Sequence, residues 1–220
     1  MNDTKDYSSR TLKGRNLAWL VATLVLDVLI LLVLAFPTAI QEMSPTAIAA
    51  IRAGLTVLLP IPALIFSSLL SADQKAVLVF WRLRNPLPGA RAFSVYAHAD
   101  HRIDLDNLRT QVGDFQVGAR EQNAKWYGLY RQVASDASVA DSHKNYLLFR
   151  DIAAMSLLLV PALPVAMYLI GADKTRILIS ATWFLSQYLV SAWAARTTGI
   201  RFVQNVLAVY ANPREGALRK

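Results

Sequence analysis

Four long apolar stretches constrain this chain more than any other feature of its sequence. They cover residues 17–37, 47–71, 152–171 and 177–195, and their charged side chains are Asp27 and Arg52. About 20 residues of α-helix cross the roughly 30 Å hydrocarbon core of a bilayer, and a helix satisfies its own backbone hydrogen bonds there. The sequence therefore predicts an all-α, polytopic membrane protein with four transmembrane helices.

The polar block between the second and third apolar stretches is long enough for one small helical domain. The predicted segments are an N-terminal tail (1–16), a transmembrane hairpin (17–71), a helical domain (72–151), a second hairpin (152–195) and a C-terminal helix and tail (196–220). Each boundary follows a change from apolar to polar composition.

The distribution of Lys and Arg predicts the orientation of these segments. The N-terminal tail has four such residues, the 72–151 block has eleven and the C-terminal segment has five, whereas the 38–46 connection has none. Basic residues accumulate on the cytoplasmic side of membrane proteins. Both termini and the helical domain are therefore predicted to be cytoplasmic, where basic groups also meet anionic lipid headgroups.

The charged and amide side chains inside the spans are the candidate intramembrane site. Counting residues from the predicted outer boundary places Asp27 of the first span and Gln187 of the fourth at similar depth, and Arg52 nearer the outer surface. We expect Asp27 to contact Gln187, within one chain or between protomers, with Arg52 as the second candidate partner. Such a carboxyl group serves either helix packing or a pore or proton path.

Capping signals divide the polar block into helices. The first predicted helix runs from a capping box at residues 71–74 to Arg84, and the second is capped by Asp104 and ends at Gly113. A third helix is predicted over 119–134. A second capping box at residues 138–141 opens a helix that enters the third span, and the fourth span is predicted to continue past Arg196.

One predicted helix combines aromatic and basic residues. Trp126 and Tyr130 lie one turn apart, with Arg120, Lys125 and Arg131 nearby. Aromatic rings that stack on bases, together with cations that bind phosphates, bind nucleotides or oligonucleotides. The other interpretation, which we favour, is that the aromatic side chains form the core of the small domain.

The sequence has no recognisable catalytic apparatus. No P-loop, nucleotide-binding glycine fingerprint, nucleophile elbow or HExxH is present, and without cysteine the chain forms no disulfide or thiolate metal site. The histidine and aspartate residues between His98 and Asp106 do not have the spacing of a known metal site, so turn and capping roles are favoured. We predict a protein that is not an enzyme and has no cofactor or metal.

Several segments of the polar block resemble a group of small uncharacterised bacterial inner-membrane proteins. The matching segments are NPLPG at 85–89, RAFS at 91–94, RID at 102–104 and EQNAKWYGLY at 121–130. This resemblance implies an inner-membrane location and no particular activity. The layout of paired spans around a cytoplasmic helical module is also similar to that of small transmembrane effectors of bacterial phage defence, which sense a signal and permeabilise the inner membrane.

Two functional hypotheses follow. The first is a homo-oligomeric inner-membrane effector or channel, gated by a ligand or cytosolic partner at the cytoplasmic helical domain. The alternative is a noncatalytic membrane scaffold that docks a cytosolic protein on the 72–151 surface. Self-association distinguishes them, because four helices of one chain are too few to enclose a wide pore.

Overall fold

The computed structural model describes residues 7–37, 42, 44–48, 50, 54, 65, 68–115 and 117–212, with the backbone alone described for residues 7–15. These residues form helices and connecting turns, without a strand among them. The α-helices are α1 (Tyr7–Ala35), α2 (Ala72–Phe80), α3 (Leu105–Val112), α4 (Ala119–Val133), α5 (Ala137–Leu169) and α6 (Lys174–Ala211), and a 3₁₀ turn (Pro88–Arg91) leads into a π-helical turn (Ala92–Tyr96). The predicted all-α class is confirmed.

Three helices of the described part are long and apolar enough to cross a membrane. They are Asn16–Ala35 within α1, Ala137–Leu169 and Lys174–Ala211. These helices cover all but the last two residues of the first and third predicted spans, and the whole of the fourth. The second predicted span, residues 47–71, lies largely outside the described residues, and so does Arg52.

Two of these helices are much longer than a bilayer is thick. The 33 residues of α5 and the 38 residues of α6 extend about 50 Å and about 57 Å at 1.5 Å per residue. The two pack along each other more extensively than any other pair of elements. No helix boundary falls at 151/152 or at 195/196, and the prediction that the fourth span continues past Arg196 is confirmed.

The starts of the shorter helices follow their capping residues. The Ser71 hydroxyl accepts from the backbone N–H of Gln74 and the Gln74 side chain accepts from that of Ser71, which confirms the first capping box. As predicted, Asp104 caps the start of α3, and the helix ends at Gly113. For α5 the predicted box is wrong, because the helix begins at Ala137, two residues earlier than that box implies, and the Asp136 carboxylate accepts from the N–H of Ser138.

The end of α2 also differs from the prediction. The helix stops at Phe80, well before Arg84, because Trp81 has left-handed backbone torsions. Tertiary contacts hold Trp81 there: its indole N–H donates to the Tyr188 hydroxyl at 3.1 Å and the Arg196 guanidinium lies 5.8 Å from its ring centre. Such contacts between distant residues leave no local signal in the sequence.

The core of the helical module includes the near ends of α5 and α6. Tyr146 of α5 and Phe202 of α6 are buried beside Phe80 of α2 and Trp126 of α4. Gly89 allows the 3₁₀ turn to approach α4, because a Cβ there would lie 2.5 Å from Cε3 of Trp126. The favoured interpretation of the aromatic residues as core is confirmed for Trp126, and Tyr130 is partly buried against the same core.

The first span packs against α5. Leu20 and Leu24 of α1 form a second buried cluster with Ile152 and Met155 of α5. The Asn16 side-chain amide donates to the backbone carbonyl of Lys144 at 2.8 Å. The three described helices that are able to cross a membrane therefore form one bundle.

Candidate functional site

The predicted intramembrane contact is present within a single chain. Gln187 Nε2 of α6 donates to Asp27 Oδ2 of α1 at 3.3 Å. Asp27 is 3% exposed and follows Leu20 and Leu24 at helical spacing, so it lies on the face of α1 that packs against the other helices. The Asp27–Gln187 contact is confirmed, and it places a polar pair in the spanning part of the bundle.

This polar pair has unused hydrogen-bonding capacity. Asp27 Oδ1 and Gln187 Oε1 are buried, and neither has a hydrogen-bond partner among the described residues. Gln187 also lines a groove of about 420 Å³, whose other polar lining residues are Thr23, Ser186 and Ser191. A narrow strip of polar groups therefore follows the junction of α1 and α6 through an otherwise apolar region.

A buried ionic cluster, formed by Lys75, Arg150 and Asp151, lies where the helical module joins the spans. Lys75 Nζ is 2.8 Å from Asp151 Oδ1, and Arg150 Nη2 is 3.1 Å from the same oxygen. The three side chains are 3%, 8% and 6% exposed respectively. This ionic cluster joins α2 to α5 at the predicted cytoplasmic boundary.

Sequence reasoning missed the ionic cluster, because it counted Lys75 and Arg150 only as two of the eleven basic residues of the 72–151 block. One signal was present: Lys75 follows the second predicted span by four residues, and Asp151 immediately precedes the third. Opposite charges at the same end of two neighbouring spans can meet. Their burial makes the contact costly to disrupt.

The ionic cluster is continuous with the aromatic core. The Arg150 guanidinium lies 5.6 Å from the ring centre of Tyr146. The Tyr146 ring in turn lies 6.4 Å from that of Phe80 and 6.5 Å from that of Phe202. Charged groups at the boundary and aromatic rings of α2, α5 and α6 therefore form one packed unit.

The two aromatic residues of the predicted ligand site are brought together in the core. Trp126 is 6% exposed, and its ring stacks on Tyr130 at 6.0 Å and meets the edge of Phe202 at 5.1 Å. The Tyr130 hydroxyl shares a hydrogen bond of 3.0 Å with His143 Nδ1. Burial raises the pKa of Tyr130. Trp126 thus stacks on protein groups in this structure.

The three basic residues of the predicted ligand site point to different surroundings. Lys125 pairs with Glu121 at 3.3 Å, and the Arg131 guanidinium lies 5.6 Å from the ring centre of Tyr127. Arg120 is exposed and lines a separate cleft of about 650 Å³ between α2 and α4. The predicted aromatic and basic residues therefore do not line one common surface.

The His98–Asp106 segment carries out turn and capping chemistry. Asp100 accepts hydrogen bonds from the backbone and guanidinium of Arg102, and Asp104 caps α3. The described residues contain no group of three His, Asp or Glu side chains arranged to hold a metal ion.

The fold and these contacts define a class: an all-helical protein with at least three helices able to cross a membrane and a helical module built on two of them. Comparison with protein-family models, curated proteins and solved structures gave no match.

Proposed function

We propose that this protein is a homo-oligomeric effector or channel of the bacterial inner membrane, opened by a ligand or partner at its cytoplasmic helical module. The observation that carries the proposal is the continuity of α5 and α6, which run from the module core into the apolar region without a linker. In the proposed topology, residues 17–37, 47–71, 152–171 and 177–195 cross the membrane and both termini are cytoplasmic.

The contacts at the boundary supply a route from the module to the spans. Lys75 and Tyr188 connect α2 to α5 and α6, through the ion pair with Asp151 and through the hydrogen bond from the Tyr188 hydroxyl to the Leu78 carbonyl at 2.9 Å. A ligand that moves α2 therefore acts directly on two spanning helices. Packed helices respond to such a bias by shifting between discrete arrangements.

The Asp27–Gln187 pair is the proposed site of opening. One hydrogen bond of 3.3 Å joins the two side chains, while an oxygen atom of each has no partner within the described residues. A shift of α6 against α1 would break this bond and turn polar groups towards a path between helices. Several copies of the chain are needed to surround such a path, so the function requires self-association.

The test combines mass and conductance measurements on one sample. The full chain is reconstituted in nanodiscs for mass determination and in planar bilayers for single-channel recording, with and without extract of phage-infected cells. We expect a defined oligomer with gated current. Asp27→Asn should alter ion selectivity or closed-state stability, whereas the exposed Asp141→Asn should do neither.

A strictly monomeric, electrically silent protein would contradict the proposal. If the same sample bound a single cytosolic protein, and if Asp27→Asn left that binding intact, the result would favour the noncatalytic scaffold. Neither function assigns a catalytic role to any residue.

A further inference from the structure

We infer that the cleft between α2 and α4 binds the phosphate group of a small ligand through Arg84 and Arg120. The inference rests on the proposed function and names the ligand chemistry of its input site. It differs from the predicted aromatic site, because Trp126 lies in the core, Tyr130 packs against it, and neither residue lines the cleft.

The cleft has the size of a small-molecule site. Its volume of about 650 Å³ lies within the range of about 300–1,000 Å³ typical of ligand pockets. Polar side chains enter it from three elements: Gln74 from α2, Arg84 from the loop after α2, and Arg120 and Asn123 from α4. Because α4 is distant in sequence from α2 and the loop that follows it, the cleft exists only in the folded module.

The two arginine residues of the cleft have no ion-pair partner within the described residues. Arg201 is also unpaired there, but Arg84 and Arg120 are distinguished by lining the same cleft. Arg102, Lys125 and Arg176 each pair with a carboxylate on the surface. Arg84 and Arg120 are exposed and make no ion pair or hydrogen bond within the described residues. Guanidinium groups bind phosphate oxygens in pairs of parallel hydrogen bonds, so two unpaired guanidinium groups at one cleft suit a phosphate ligand.

Asp73 also lines the cleft, and it restricts the ligand further. Its carboxylate repels a bare anion but accepts a hydrogen bond from a hydroxyl or an ammonium group. A ligand with a phosphate and such a donor satisfies Arg84, Arg120 and Asp73 together. A soluble nucleotide and the headgroup of an aminophospholipid both have this chemistry.

The cleft is placed to act on the ionic cluster. Asp73, Gln74 and Val77 line it from one face of α2, while the opposite face buries Ala76, Val79 and the Lys75 side chain that pairs with Asp151. On the α4 side, the close packing of Gly89 against Trp126 and Asn123 fixes the wall of the cleft. A ligand that draws Arg84 and Arg120 together would therefore move α2 against α5.

The experiment measures binding by the full chain and two variants in nanodiscs. Isothermal titration with ADP and with inorganic pyrophosphate is performed in phosphatidylcholine nanodiscs, and native mass spectrometry counts phosphatidylethanolamine retained from mixed nanodiscs. The test variant is Arg84→Gln/Arg120→Gln. The control is Arg201→Gln, another exposed arginine without a partner in the described part, located on α6 away from the cleft.

We expect one of the two ligand classes to bind the unmodified chain and the control equally, and the double variant to bind it about tenfold more weakly or worse. Soluble-probe binding identifies a nucleotide-type ligand, and lipid retention alone identifies a headgroup. Absence of both, or equal binding by the double variant, overturns the inference. The binding measurement does not depend on channel current. A protein that binds phosphate but conducts no current would therefore contradict the proposed function alone. An oligomer with gated current that binds no phosphate would contradict this inference alone.

Discussion

At the scale of single residues, we expect Asp151 to stabilise the junction between α2 and α5. It accepts hydrogen bonds from Lys75 and Arg150 in a region that is nearly closed to water. Removing one partner of a buried ionic group leaves uncompensated charge and typically costs about 3–5 kcal/mol. We therefore expect Asp151→Asn to lower the free energy of unfolding by roughly that amount, measured by chemical denaturation in mild detergent.

The matched control for this prediction is Asp141→Asn on the same helix. Asp141 is exposed, so its substitution should change stability by less than about 0.5 kcal/mol. Equal stability of the two variants would mean that the ionic cluster does not hold α2 to α5.

Asp100 provides a prediction of pH dependence. Hydrogen bonds from Arg102 hold the pKa of this carboxyl below its usual value. The charged form therefore stabilises the fold at neutral pH, and the contribution declines once the pH falls below about 4, where the unfolded chain binds the proton first. Asp100→Asn should lower the unfolding midpoint at pH 7, with a smaller difference from the unmodified chain at pH 3.

The magnitude of this effect should be small and sensitive to salt, because Arg102 is half exposed. Unfolding midpoints measured at low and high ionic strength check this. A difference between variant and unmodified chain that stays constant from pH 7 to pH 3 would show that Asp100 acts through its shape and not through its charge.

At the scale of helices, two glycine residues should respond to alanine with opposite signs. In α6, a Cβ at Gly199 would lie 2.9 Å from Cδ2 of Tyr146 and 3.0 Å from Cζ of Phe80, whereas a Cβ at Gly128 in α4 meets nothing within 4 Å. Overpacking should make Gly199→Ala destabilising by about 1–3 kcal/mol. Gly128→Ala should stabilise by up to about 1 kcal/mol through helix propensity.

Denaturation of both glycine variants under the same conditions measures the two changes. Stabilisation by Gly199→Ala would mean that α6 moves away from α5 at low cost, which would contradict the rigid connection on which the proposed function depends.

The helices also show which parts of the fold were accessible from sequence. The caps at Ser71 and Asp104 were predicted correctly, because a capping side chain acts on N–H groups within three residues. The end of α2 was not, because Trp81 is held by Tyr188 and Arg196 of a helix that comes much later in the chain. Local signals determine where these helices begin, while tertiary contacts determine where α2 ends.

At the scale of the whole molecule, regular geometry explains which site residues were found. Asp27 and Gln187 were paired correctly because each residue of a straight helix advances the same distance along the helix axis, so positions counted from neighbouring helix ends can be matched. The cleft with Arg84 was not found, because its walls come from α2, a loop and α4, whose arrangement depends on packing. The sequence thus predicts this contact between two long helices better than it predicts surfaces of the module.

The proposed four-span topology predicts which residues face each side of the membrane. The chain has no cysteine, so single cysteines introduced at the exposed residues Ser44, Lys174 and Arg109 report their own location. With spans at 17–37, 47–71, 152–171 and 177–195, a membrane-impermeant maleimide should label Ser44→Cys and Lys174→Cys on intact spheroplasts, and Arg109→Cys only after permeabilisation. Labelling of Arg109→Cys from outside would reverse the proposed orientation. If Lys174→Cys were labelled and Ser44→Cys were not, residues 17–37 would not cross the membrane. The proposed order of spans would then not explain why the module lies on the cytoplasmic side.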